Sequence, residues 1–234
     1  MANDVEAKLE ALKREIEALK SKGAVTVTEA IANPAPLGLA GFGITTLLLN
    51  VVNAGIINKS DIGMVLPMGL FYGGLAQFLA GMWEFKKNNT FGATAFTSYG
   101  AFWMGFALMK ILQANGALGA VSAEGGLPVF LVAWGIFTTY MFVATLRLNV
   151  ALMVVFAGLA ILFYLLALGD HTGNTNIQHL AGYEGLFTAG AALYASFAQV
   201  LNETWGRVVL PLGVIKPKAA VAPAVERERI TEPA

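Results

Sequence analysis

The sequence predicts an all-α membrane protein, a six-transmembrane-helix bundle with an additional N-terminal amphipathic or coiled-coil helix. Three observations predict it. Of 234 residues, 56% are hydrophobic and only 13% charged, and the mean hydropathy is +0.64; that is too little charge to cover a water-soluble surface of this size. Six segments of about 20 mostly apolar residues, long enough to cross a bilayer core, are separated by short polar breakers. None of the six alternates with period two, as a barrel strand would, and residues 150–169 lack the polar face that a soluble bundle helix needs.

The first element precedes the spans. Val5, Leu9, Leu12, Ile16 and Leu19 step by four, three, four and three, an a/d rhythm, and Glu10 with Arg14 and Glu17 with Lys20 lie at helix-pairing distances. A helix this short is marginal alone. It either associates with copies of itself, if the membrane domain oligomerises, or lies on the bilayer or its own subunit. The spans follow at 36–53, 62–85, 91–113, 127–145, 150–169 and 183–202, with turns or loops at 58–61, 86–89, 122–126, 147–149 and 170–178. Pro34 and Pro36 predict a broken approach to the first span, whose free N–H groups would attract an anion; a structural helix start without a ligand is the alternative. Gly69, Gly73 and Gly74, Gly100 and Gly105, and Gly185 and Gly190 with Ala191 and Ala192 allow close helix approach and leave room for a lumen. Residues 216–234, rich in Pro, Ala and charge, predict a disordered tail. The expected organisation is therefore a cytoplasmic helix and linker at 1–32, a six-span membrane domain at 33–213 and a disordered cytoplasmic tail at 214–234.

Basic residues orient the bundle. With both termini in the cytoplasm, Lys8, Lys13, Arg14, Lys20, Lys22, Lys86, Lys87, Arg147, Arg207, Lys216, Lys218, Arg227 and Arg229 fall inside, and only Lys59 and Lys110 outside. The positive-inside rule favours that arrangement, so a multi-pass protein of the cell membrane is expected, with the bilayer as its surroundings. The N-terminus carries no apolar signal core, so no removable targeting peptide is expected. A balance of 15 basic and 15 acidic residues argues against nucleic acid. With no cysteine and only two histidines, His171 and His179, both in the expected outer loop, no metal or haem site and no cofactor are expected. Ser98 and Ser196 lack an intramembrane histidine partner, and Lys110 at a span end reads as snorkelling, so no catalytic residues are expected and the chain does not read as an enzyme.

Uncharged polar groups inside the spans suit conduction. Asn50, Asn53, Gln77, Thr97 and Ser98, with Thr45 beside them, can replace part of a small ion's hydration without a fixed buried charge; equally, they can glue helices together. Glu84 and Glu203, near inner span ends, are each a proton-linked gate, a salt-bridge partner of Lys86, Lys87 or Arg207, or simply solvated.

The run NPAPLGL at residues 33–39, continuing AGFGITTLLLN, resembles the signature of the acetate/succinate permease family, which includes bacterial succinate-acetate permeases and fungal ammonia/acetate exporters. The resemblance continues in FYGGLAQFLAGMWEF at 71–85, NTFGATAFTSYGAFW at 89–103 and LNETWGR at 201–207, in order, over residues 33–213. It implies a homo-hexamer of six-helix protomers, each with its own pathway, and a substrate that is a small mono- or dicarboxylate anion, acetate or succinate. It places the family's constriction on Phe42, Tyr99 and Leu159, and sets Ala192 facing the path, with Asn33, Pro34, Pro36 and Leu37 at its entry. Aromatic and Leu side chains would accommodate a methyl group and exclude larger anions, and the Tyr99 hydroxyl would donate to the carboxylate. The expected function is a channel or proton-linked transporter of small carboxylates; a membrane receptor for the same ligands is the alternative.

Overall fold

The structure is a computed structural model that describes residues 2–21, 31–117 and 125–215. The expected tail at 216–234, Lys22 and most of the 122–126 loop lie outside the described residues. The chain divides into two compact units, 1–33 and 34–234.

In the first unit, α1 spans Ala2–Ser21. Val5, Leu9, Leu12 and Ile16 form the expected stripe, and all four are exposed. Two surface ion pairs support the helix, Lys8 to Asp4 at 3.0 Å and Lys13 to Glu10 at 2.9 Å, each contributing a few tenths of a kcal/mol at about this exposure. Glu10 thus pairs with Lys13, three residues on, rather than with Arg14.

The second unit begins with α2 (Ala35–Asn53). The approach at residues 31–34 is non-helical, as expected, and the two prolines start the helix: Pro34 is its N-cap residue, and Pro36 sits in the first turn, where a missing N–H costs nothing. A 3-10 turn (Lys59–Met64), α3 (Val65–Leu70), a π-helical turn (Phe71–Ala76) and α4 (Gln77–Lys86) then run end to end. The π turn falls on Gly73 and Gly74, opposite the closest approach of α2. A Cβ on Gly41 would sit 2.6 Å from the Tyr72 carbonyl oxygen, and one on Gly73 2.5 Å from Thr45 Oγ1.

Three asparagines set where the later helices begin. Asn89 starts α5 (Thr90–Ala114), Asn149 starts α7 (Val150–Thr172) and Asn174 starts α8 (Thr175–Thr204), each accepting a backbone N–H of the first turn. Between them lies α6 (Gly126–Thr145). The loop expected at 170–178 is only a two-residue turn. Gly173 adopts a left-handed φ of 63° and Asn174 caps the next helix, so α7 and α8 continue through polar residues on either side. His171 and His179 are consequently helical: His171 is exposed in the last turn of α7, and His179 lies in α8 beside Gly55.

Neighbouring helices close a ring in the order α2, α8, α7, α6, α5 and then the α3–α4 segment, which returns to α2. Residues 205–215 fold back on the start of α7: Ile215 N donates to Leu148 O at 3.0 Å and Val150 N to Gly213 O at 2.9 Å. Asn202 holds this segment by accepting from Val209 N and Leu210 N and donating to Leu210 O. Among the described residues, four helical stretches are long and apolar enough to cross a membrane, at Ala35–Asn53, Lys59–Lys86, Gly126–Thr145 and Val150–Thr172.

Candidate functional site

Three helices with the same chain direction build the site. On α2 the inward face reads Leu39, Phe42, Thr46, Leu49, Asn50 and Asn53; the matching faces of α5 and α7 run from Phe96 to Lys110 and from Phe156 to Asp170. These steps of three and four residues keep one helix face inward. From Phe42 to Asn53, Tyr99 to Lys110 and Leu159 to Asp170 is eleven residues in each case, so the cavity is about 16 Å deep at 1.5 Å per residue. Its volume is about 210 Å3, enough for a small carboxylate and some water. A second cavity of about 20 Å3, the size of one water, lies one turn further along the same helices.

Phe42, Tyr99 and Leu159 line both cavities. They form the wall between them, a neck built from one residue of each helix. All three are buried. Tyr99 is held by four rings, with centroids 6.1 Å from Phe42, 6.0 Å from Trp134, 5.3 Å from Phe137 and 6.0 Å from Phe156. Its hydroxyl lies 2.9 Å from Thr138 Oγ1, and Thr138 Oγ1 donates to the Trp134 carbonyl at 2.7 Å. A threonine hydroxyl has one hydrogen, so Tyr99 is the donor to Thr138. In this structure the Tyr99 hydroxyl has Thr138 as its acceptor, so the expected donation to a carboxylate would have to replace that bond.

Polar groups line the larger cavity below its rim. Asn50 is fully buried, donates to the Thr46 carbonyl at 2.8 Å and accepts from Asn53 at 3.0 Å. Thr46 Oγ1 and Trp103 Nε1 are buried without a hydrogen-bond partner, on residues that line this cavity. Orphan donors are costly in a protein interior, which makes these two candidates for receiving a ligand's oxygen. Sequence reasoning missed both. Thr46 continues the Phe42, Thr46, Asn50 spacing of one helix face, a signal available in the sequence, whereas nothing local distinguishes Trp103 from a core tryptophan. Lys59, Lys110, Asp170 and Gln178 ring the far end.

The remaining expected residues are placed differently. Thr45 lines neither cavity; it is buried against Gly73. Gln77 lines the smaller cavity, with Oε1 buried and lacking a hydrogen-bond partner. Ser98 is half-buried and Ala192 fully buried, and neither lines either cavity. Pro34, Pro36 and Leu37 also line neither; the Pro36 carbonyl accepts from Ser196 Oγ at 2.7 Å, and Leu37 is exposed. Asn33 is the last residue of the first unit. Glu84 is completely buried off the cavities: Oε2 accepts from Asn89 Nδ2 at 2.8 Å, and Oε1 has no hydrogen-bond partner. Glu203 is exposed. Lys110 is half-buried on the cavity wall, its ammonium 5.6 Å from the Phe106 ring centroid, so it borders the lumen as well as extending toward the helix end.

This architecture has known counterparts. The chain is 49% identical over 183 residues to the succinate-acetate/proton symporter SatP of Escherichia coli K12, covering 78% of this chain and 96% of that protein. It is 38% identical over 195 residues to acetate permease A of Emericella nidulans, covering 77% of this chain and 65% of the relative. Among solved structures, that of the bacterial acetate channel SatP matches with a TM-score of 0.75 at 49% identity, covering 79% of this chain and all of that one. A profile of the GPR1/FUN34/yaaH family matches residues 17–215. With six-sevenths of the chain matched and half of the aligned residues identical to a bacterial relative, the protein belongs to the GPR1/FUN34/yaaH family.

Proposed function

We propose that this protein passes small carboxylate anions, acetate foremost, across the cell membrane through the lumen between α2, α5 and α7. One observation carries the reading: three parallel helices lead from a charged rim, past unpartnered donors, to a neck shared by two cavities. Relatives named as an acetate permease and a succinate-acetate/proton symporter support it. In this reading Thr46, Asn50 and Trp103 hold the carboxylate while it sheds water, and Gln77 receives it beyond the neck. Phe42, Tyr99 and Leu159 pass the methyl group and reject wider anions and strongly hydrated ions, which would lose water without compensation.

The same proposal extends to topology and assembly. α5 and α8, with 25 and 30 residues, complete six spans, because the ring around the lumen does not close without them. Both termini are cytoplasmic, and protomers assemble as a hexamer in which the exposed α1 stripes meet. Glu84, buried where Glu203 is exposed, is the carboxylate assigned to any proton-linked gate.

Radiolabelled acetate uptake into proteoliposomes, with and without an imposed pH gradient, tests this. Acetate entry is expected, and a dependence on the gradient itself distinguishes symport from a channel; saturable binding with no entry would instead make the protein a receptor. Phe42→Ala is expected to widen the neck and admit lactate or raise chloride leak, while unchanged selectivity would remove Phe42 from the lining.

A further inference from the structure

The rim of the larger cavity carries charge that the pathway below it lacks. Lys59 Nζ donates to Gln178 Oε1 at 3.0 Å, and Gln178 Nε2 donates to Asp170 Oδ1 at 3.3 Å. Lys59, from the turn after α2, is thereby linked to Asp170 at the end of α7 through a residue of α8. Lys110, in the last turns of α5, acts electrostatically on the same Asp170, as does Lys59. All four side chains line the cavity. Of the other ionisable groups nearby, Asp61 and His171 are exposed, His179 lies beside Gly55, and none of these three lines the cavity. Among the side chains that line the cavity, two ammonium groups act on one carboxylate, a formal excess of one positive charge.

We propose that this rim is a charge filter and that Asp170 is the residue setting the relative entry of singly and doubly charged carboxylates. The inference rests on the transport reading above. A rim potential acts on each charge of the anion, so any change in it shifts a dianion's energy twice as far as a monoanion's. Asp170 lowers the potential that Lys59 and Lys110 create and so holds back dicarboxylates relative to monocarboxylates. Gln178 keeps Asp170 and Lys59 in register without adding charge. The neck reads size; the rim reads valence.

The experiment compares initial uptake of radiolabelled succinate and acetate into proteoliposomes at about pH 7.5, where acetate carries one charge and succinate two. Wild type, Asp170→Asn, Lys110→Gln and Lys59→Gln are measured at low ionic strength, where screening is weak. Asp170→Asn is expected to raise the succinate-to-acetate ratio about fivefold, the scale of one unit charge across a hydrated rim. Lys110→Gln and Lys59→Gln are expected to lower the ratio, and raising salt should compress all of these differences. Lys59 is exposed, so its variant provides the sign test even if a change on α5 or α7 impairs folding. Ratios that stay at the wild-type value, or that move the same way for the aspartate and lysine variants, overturn the filter while leaving transport intact. A wild-type protein that passes neither anion overturns the transport reading itself.

Discussion

Because Thr138 Oγ1 gives its one hydrogen to the Trp134 carbonyl, the Tyr99 hydroxyl is a donor to Thr138, and Tyr99 contributes ring area rather than polarity to the neck. Tyr99→Phe should therefore keep acetate flux within about twofold while costing about 1 kcal/mol, the net value of one internal hydrogen bond. A tenfold loss of flux in a folded variant would return the hydroxyl to the pathway. Adjacent threonines make a second contrast. Thr46 lines the cavity with an unpartnered hydroxyl, and Thr45 turns to Gly73. Valine is nearly isosteric with threonine, so Thr46→Val should raise the acetate concentration for half-maximal flux several-fold, and Thr45→Val should not; equal effects would contradict the assigned faces. Gly185 answers Asn50 from α8, where a Cβ would land on the Asn50 amide. Gly185→Ala should thus destabilise by about 1–3 kcal/mol, the range for overpacking, read as a lower unfolding midpoint in detergent.

At the scale of elements, helix existence was legible and helix ends were partly so. The six apolar runs correspond to helices because length and hydrophobicity are properties of the segment itself. The ends depended on how small a signal suffices. One asparagine and one glycine turn the chain between α7 and α8, so a largely polar stretch of nine residues that reads as a loop is mostly helix. Asn149 caps α7 by accepting from Leu152 N at 2.9 Å, and Asn149→Ala should cost about 1 kcal/mol, measurable as a lower thermal midpoint with flux retained. The proline pair at the start of α2 marked a helix end within one residue, with residues 31–34 non-helical before it. Proline resists continuation of a helix but suits its first turn, and which of these applies depends on where the helix starts.

In the molecule as a whole, both cavities lie within the second unit. Every residue lining either cavity lies between Leu39 and Gln178, so deletion of residues 1–30 should leave acetate flux per folded protomer unchanged; a collapse of flux would give α1 a direct part in conduction. The sequence by itself determined the helical class, the helix positions and the family motifs, because hydrophobicity, capping and motif identity are encoded locally. Only the tertiary structure decided which side of each helix faces the lumen. A helix that is apolar nearly all round, such as α7, has little amphipathic contrast to set its rotation. Rotation is set instead by contacts with other helices, Gly73 against Thr45 and Gly185 against Asn50 among them. That is why Trp103 and the charged rim emerged only once the helices were packed, and why Thr45, Leu37 and Ala192 turned away from the lumen.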